Sequence, residues 1–312
     1  MSDSLVRDTG LHQPVSADSG NQPYNQERNK PRMLTPTRRR TLVFVLALLA
    51  MAALTTVSFA RHSWRKYHWA RTSNPFTIKL GNNLNSAWSS YLSTASSDWS
   101  QSSVLDTSVV AGQTSPSTCS PTAGRVEVCN SAYGSTGWLG VAQIWTSSSH
   151  ITQGTVKLND TYFSQARYNT PSWRRMVTCQ EVGHTFGLDH QDENFNNTNL
   201  GTCMDYSNDP SGTAGTNGTL NNEHPNLHDY AQLESIYSHF DTSTTILQRG
   251  GQSAAAPGQQ DKDPQWGRLV RTTNGGRTAL FEHDLGNDRK VFTFVIWADP
   301  DHEENDDDEA GH

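Results

Sequence analysis

The stretch TCQEVGHTFGLDHQDE, Thr178 to Glu193, decides how the rest of the chain is read. It completes a run, PSWRRMVTCQEVGHTFG, that opens at Pro171 and closes at Gly187. Those two residues are start and stop signals for a helix: proline fits the first helical turn and glycine the left-handed exit. On such a helix residues 180 and 184 stand one turn apart on one face. A sharp turn at Gly187 needs a residue that tolerates positive φ, and it lets His190 come back towards the same point. Gln180, His184 and His190 then offer three ligands plus space for a water, the open arrangement of a catalytic zinc ion. Glu181 stands beside them as the group that takes a proton from a water polarised by that ion.

The spacing resembles the extended zinc signature of the metzincin metalloproteases, His-Glu-x-x-His-x-x-Gly-x-x-His. It matches at Glu181, His184, Gly187 and His190 and departs at Gln180. Metzincins place a methionine turn beneath the metal, and GTCMDYS (201–207) supplies one with Met204. Tyr206 resembles the tyrosine that astacin members use to approach the metal or the transition state. GWLGVAQIW (137–145) followed by GTVKLND (154–160) resembles the edge strand and next strand that precede the active helix in matrixin-like members. The resemblance covers approximately 75–245. It implies an α+β catalytic domain: a twisted mixed sheet, an active-site helix, a methionine turn and a C-terminal helix. It also implies one zinc ion and a polypeptide substrate. Leu139, Gly140, Val141 and Ala142 would then be an exposed edge strand to which an extended peptide adds. Gly140 and Ala142 are small enough to let a peptide backbone approach.

Gln180 is the departure that matters. Its carbonyl oxygen can reach a metal from roughly where an imidazole nitrogen would, as a weaker donor to zinc. A zinc endopeptidase with a variant site is one reading. The alternative is a metzincin-fold module at the cell surface that binds peptide or metal without cutting, and a purely structural domain is a third. The intact Glu181, which is no ligand, favours the first. If residue 180 were not a ligand, the third would be sought among His224, His228 and Asp189. His150 reads as a surface loop residue. The Asp- and Asn-rich run 189–209 has oxygens of the kind calcium takes, but no recognised calcium-loop pattern supports that ion.

The rest of the chain sets the context. Of 312 residues, 34% are hydrophobic, and the net charge of −7 owes much to the tail. Residues 299–312 carry eight acidic groups between Asp299 and Glu309 and read as a solvated, disordered tail. No basic face interleaved with aromatics appears, which argues against nucleic acid as a partner. Residues 1–40 are polar and without apolar pattern, a disordered segment by composition. Thr41 to Ala60 holds no charge, and ~20 such residues cross a ~30 Å hydrocarbon core. It reads as a single-pass membrane anchor or, through Ser58-Phe59-Ala60, as a cleaved signal peptide. Forty residues is long for a leader, which favours the anchor. Either way the rest lies outside the cytoplasm.

Four cysteines allow three pairings, and disulfides fit that oxidising setting. Cys119 with Cys129 and Cys179 with Cys203 are the expected pairs. Residues 61–74 read as a linker, 75–245 as the catalytic domain, 246–263 as a second linker and 264–298 as a small β-hairpin appendage. Within the domain, strands are expected at 75–81, 107–112, 125–130, 137–145 and 154–160. Trp88, Tyr91, Leu92, Ala95 and Trp99 fall at helical spacing, and PNLHDYAQLESIYSHF (225–240) reads as a further helix.

Overall fold

In the run FTIKLGNN, Phe76, Ile78 and Leu80 are buried at every second position, as expected of a strand that turns one face to a core. In the computed structural model this run is one of nine strands among the described residues. They are β1 (His68–Trp69), β2 (Phe76–Asn83), β3 (Leu105–Ala111), β4 (Val126–Ser131), β5 (Trp138–Ser147), β6 (His150–Asn159), β7 (Arg268–Thr273), β8 (Thr278–Gly286) and β9 (Arg289–Trp297). The helices among the described residues are α1 (Ser89–Trp99), α2 (Asp160–Phe163), α3 (Pro171–His184) and α4 (Leu227–Ile236). The structure describes residues 62–63, 66–246, 266–273 and 278–299. The segment 1–40, the apolar run 41–60 and the tail from residue 300 lie outside them, as does nearly all of the 246–263 linker. No described helix is long and apolar enough to cross a membrane.

The strands form one mixed sheet in the order β3-β2-β4-β6-β5-β9-β8-β7, with β1 pairing off that path onto β6. β2, β3, β4 and β6 run parallel. From β5 onwards every pairing is antiparallel. Helix α3 packs on β5 and β6, and α1 packs on α3. Thr170 caps α3 by accepting from the Trp173 amide, and Pro171 occupies its first turn, where a missing N–H costs nothing. Two buried tryptophans then fix its position. The Trp99 indole donates to the Cys179 carbonyl at 3.1 Å, and the Trp69 indole donates to the Thr185 carbonyl at 2.8 Å. Replacing either by Ala would cost about 3–5 kcal/mol from the lost burial alone.

Four sequence expectations are corrected. The first concerns the edge strand. β5 is interior, paired with β6 on one side and β9 on the other, and Leu139, Val141 and Ala142 are buried. The small size of Gly140 has a different reason. A Cβ there would lie 2.7 Å from Val177 and 2.8 Å from a Glu181 carboxylate oxygen, so the glycine admits helix α3 rather than a peptide.

The second concerns the appendage. Instead of a separate hairpin, residues 268–297 supply three strands that extend the main sheet. The β8–β9 turn places Asn287 and Asp288 at φ 54° and 57°, the left-handed pair that a tight hairpin turn requires. The NGG signal at 274–276 lies outside the described residues.

The third concerns residues 61–74, which are not a free linker. Tyr67, Trp69, Ala70 and Arg71 are buried, and a mixture of His, Trp and Arg without period gave no warning of it. Last, His150 opens β6 rather than sitting in a loop.

Candidate metal centre

Helix α3 carries Gln180, Glu181 and His184 in its last turns, all buried. After it, Gly187 turns the chain at φ 95° with the Tyr67 carbonyl so close that a Cβ would lie 2.5 Å from it. That turn returns His190 to His184, with ring centroids 4.4 Å apart and planes perpendicular. Both imidazoles are held by the same nitrogen. His184 Nδ1 lies 3.0 Å from the Leu188 carbonyl, and His190 Nδ1 lies 3.1 Å from Glu193 Oε1. Each acceptor requires a proton on Nδ1, so Nε2 is the nitrogen left to carry a lone pair towards a ligand. Metal-binding histidines are normally oriented by such a bond at the other nitrogen.

Gln180 is oriented too. Its amide nitrogen donates to the Cys203 carbonyl at 2.9 Å, which turns the amide oxygen the other way. Gln180 Oε1, Glu181 Oε2 and His190 Nε2 are buried and have no hydrogen-bond partner. Unsatisfied buried polar atoms are costly, and a cation held beside the paired His184 and His190 rings would satisfy these. The residues present therefore fit a zinc ion held by Gln180, His184 and His190.

The surroundings are dry. Burial pushes the Glu181 carboxyl well above its ordinary pKa, partly offset by a bond from the Ala142 amide. Burial, and then the neighbouring His190, hold His184 well below its ordinary value, in the neutral form a ligand needs. The Tyr206 ring lies against His190 at 4.3 Å and against Phe195 at 4.8 Å. Burial, with the Glu181 charge adding to it, raises its phenol well above the usual range.

Met204 lies under the helix at a point set by Gly183. A Cβ on that glycine would sit 2.7 Å from the Met204 sulfur and 2.7 Å from the Trp99 ring. Cys179 and Cys203 are bridged, as are Cys119 and Cys129, each pair with Cα atoms 5.9 Å apart. The first bridge ties α3 to the methionine turn beside the Gln180–Cys203 hydrogen bond.

The other candidates are engaged elsewhere. His224 pairs with Asp98 at 2.6 Å, and His228 stacks on His62 at 4.6 Å. Asp189, His190 and Glu193 bring ligand atoms within 4.8 Å of one another, but the guanidinium of Arg271 already occupies that cluster. Its two nitrogens reach the Asp189 oxygens at 2.9 and 2.5 Å, and one reaches Glu193 at 3.1 Å. Burial raises the Asp189 pKa, but the Arg271 bonds and the neighbouring His190 and His184 together leave it below its ordinary value. Further along the Asp-rich run, Asp205 and Asp209 accept from backbone amides and polar side chains. Among the described residues no group of three or more His, Cys, Asp or Glu ligand atoms includes either of them.

Sequence reasoning missed two residues that β7 and β9 bring in. Arg271 supports Glu193 and through it His190. Phe294 stacks flat on His184, centroids 4.3 Å apart and planes within 7°. No local pattern links residues so distant along the chain.

No family model matches the chain, and no curated protein matches it either. Solved structures that match include high choriolytic enzyme 1, a hatching enzyme zinc-protease from the medaka fish Oryzias latipes. The identity is 13% and the TM-score 0.31, over 55% of this chain and 94% of that one. At that level of likeness the match carries nothing about what this chain does.

Proposed function

We propose that the chain is an extracytoplasmic zinc-dependent endopeptidase whose peptide path is closed by its own strand β9. The observation that carries the reading is the set of buried, unpartnered atoms on Gln180, Glu181 and His190 beside a neutral, oriented His184. Zinc bound there supplies a Lewis acid that polarises a carbonyl and acidifies a water. Glu181 accepts the proton of the attacking water at its carboxylate and returns it to the leaving amine. Its raised pKa belongs to a site without a cation nearby, and a positive charge beside it favours the carboxylate. The Tyr206 phenol remains protonated and can donate a hydrogen bond to a developing oxyanion. The metzincin resemblance of the motif and the methionine turn at Met204 point the same way. The two disulfides fit an oxidising compartment, with residues 41–60 as anchor or leader.

One observation favours a second reading. β9 pairs along β5 where an extended peptide would add, and Phe294 covers one face of His184. A domain sealed in this way could be a metal-binding module that never cuts.

One experiment separates the two. A specific protease site is placed in the 246–263 linker, and casein turnover is measured on the zinc-loaded intact and cut chains. A latent endopeptidase gives little turnover intact and a clear rise once the cut lets β9 yield its place along β5 to substrate. Zinc retention without turnover in either form leaves the binding module.

A further inference from the structure

We infer that His68, His150, His239 and Asp241 form a second metal site, closed and structural, that takes zinc. The residues come from separate places: His68 in β1, His150 at the start of β6, and the other two just after α4. They converge on one carboxylate oxygen, Asp241 Oδ1. His150 Nε2 lies 3.1 Å from it, His68 Nε2 3.4 Å and His239 Nε2 3.7 Å. His68 Nε2 and His239 Nε2 are 3.2 Å apart. Zinc at ~2.0–2.1 Å from each of four tetrahedral ligands places those ligand atoms ~3.3–3.4 Å from one another. The four separations given above bracket that spacing; His68, His150 and Asp241 form the compact set, with ligand atoms all within 4.8 Å of one another, and His239 joins it from the side of His68 and Asp241.

The protons argue in the same direction. His68 Nδ1 lies 2.8 Å from the Lys66 carbonyl, which can only accept, so the ring carries its proton there. In the neutral ring Nε2 is then a bare lone pair, and it faces a second imidazole nitrogen and a carboxylate oxygen. His68 thus presents a lone pair at the point where the ligand atoms meet, as a metal ligand does.

The supporting contacts are those of a built site. Asp241 Oδ2 accepts from the Arg71 amide at 3.1 Å and from the Arg71 guanidinium at 3.1 Å, which aims Oδ1 at the histidines as outer partners of a metal ligand do. Arg71 also donates to the His239 carbonyl. The parallel pairing of β1 with β6 sets His68 opposite His150. The His239 side chain is 54% exposed and has room to complete the set. Four protein ligands leave no open position, which marks a structural site rather than a catalytic one. The ion would fasten β1 to the segment that follows α4.

The test uses the full chain with the first centre disabled as His184→Ala/His190→Ala. Zinc content is measured after equilibrium against buffered zinc, and thermal stability is followed with and without chelator. The parent double variant is expected to hold one ion, against two in the unaltered chain, and to lose thermal stability when chelated. His239→Ala, a change at an exposed side chain, should weaken that binding about tenfold or more. His150→Ala should abolish it while matching the parent's melting temperature in chelator. The inference is overturned if the double variant binds no zinc, or if His239→Ala and His150→Ala leave its affinity unchanged. Neither result depends on whether the first centre cleaves anything.

Discussion

The amide nitrogen of Gln180 donates to the carbonyl oxygen of Cys203 at 2.9 Å, and this bond decides which atom Gln180 turns towards the histidines. Cys203 is itself bridged to Cys179, so consecutive residues of α3 are tied to one residue of the methionine turn, once covalently and once by hydrogen bond.

The first prediction tests that orientation. Gln180→Glu sets a carboxylate oxygen against the Cys203 carbonyl in place of a donor. In chelator it should destabilise the chain by about 1–3 kcal/mol, the cost of a buried acceptor without a partner. Zinc should restore part of the loss, because the other oxygen is a good ligand. Gln180→His should tighten zinc binding, since one nitrogen can serve Cys203 while the other faces the metal. Denaturant melts of the variants with and without zinc provide the check, and equal behaviour of Gln, Glu and Ala at 180 would remove this residue from the site.

Glu181→Gln is expected to preserve the fold and the zinc content, since an amide oxygen can still accept from the Ala142 N–H. Turnover by the cut chain should fall by roughly 10²–10⁴, the usual contribution of a positioned base. Activity close to that of the unaltered chain would take Glu181 out of the chemistry.

Arg271→Ala removes the guanidinium that holds Asp189 and Glu193. Glu193 then orients His190 less firmly, and zinc affinity at the first centre should drop about 10–100-fold, as for loss of other supports behind a ligand. Competition against a fluorescent chelator measures this. An unchanged affinity would mean that the pair Glu193–His190 stands without β7.

A pH effect is expected at Asp205. Burial, against bonds from the Leu200 amide and Asn222, raises its pKa from 3.8 to about 7. A pKa raised on folding gives a contribution that is complete below 3.8 and is lost as pH rises through about 7. Asp205→Asn removes the titration. Relative to the variant, the unaltered chain should therefore lose on the order of 2 kcal/mol of stability between about pH 5 and pH 8. Parallel stability curves for the two proteins would contradict the assignment.

Much of the body could be read from the sequence because its signals are local. Pro171 and Gly187 bracket α3, and the tryptophans at 88 and 99 mark the buried face of α1. The spacing of Gln180, Glu181, His184 and His190 marks the candidate centre without any knowledge of the sheet. What escaped is what depends on partners far away in the chain. β5 is recognisable as a strand, but nothing in residues 138–147 says that residues 289–297 will pair with them. Gly140 illustrates the ambiguity: a small residue admits whatever approaches, and here that is Val177 and Glu181. His68, His150, His239 and Asp241 are each unremarkable in their own segments. Only the β1–β6 register and the end of α4 gather them.

The pairing of β9 with β5 bears on how this protein can be produced. A fragment cut back to residue 245 would leave the whole of β5 with one row of amides and carbonyls open to solvent. Trp138, Val141 and Trp145, now covered, would stand beside that row, and β5 contains no lysine or proline to interrupt it. Long apolar edges of this kind recruit other chains into aggregates. The shortest fragment expected to remain monomeric is therefore not the one that ends with α4, but the one that keeps residues 268–297.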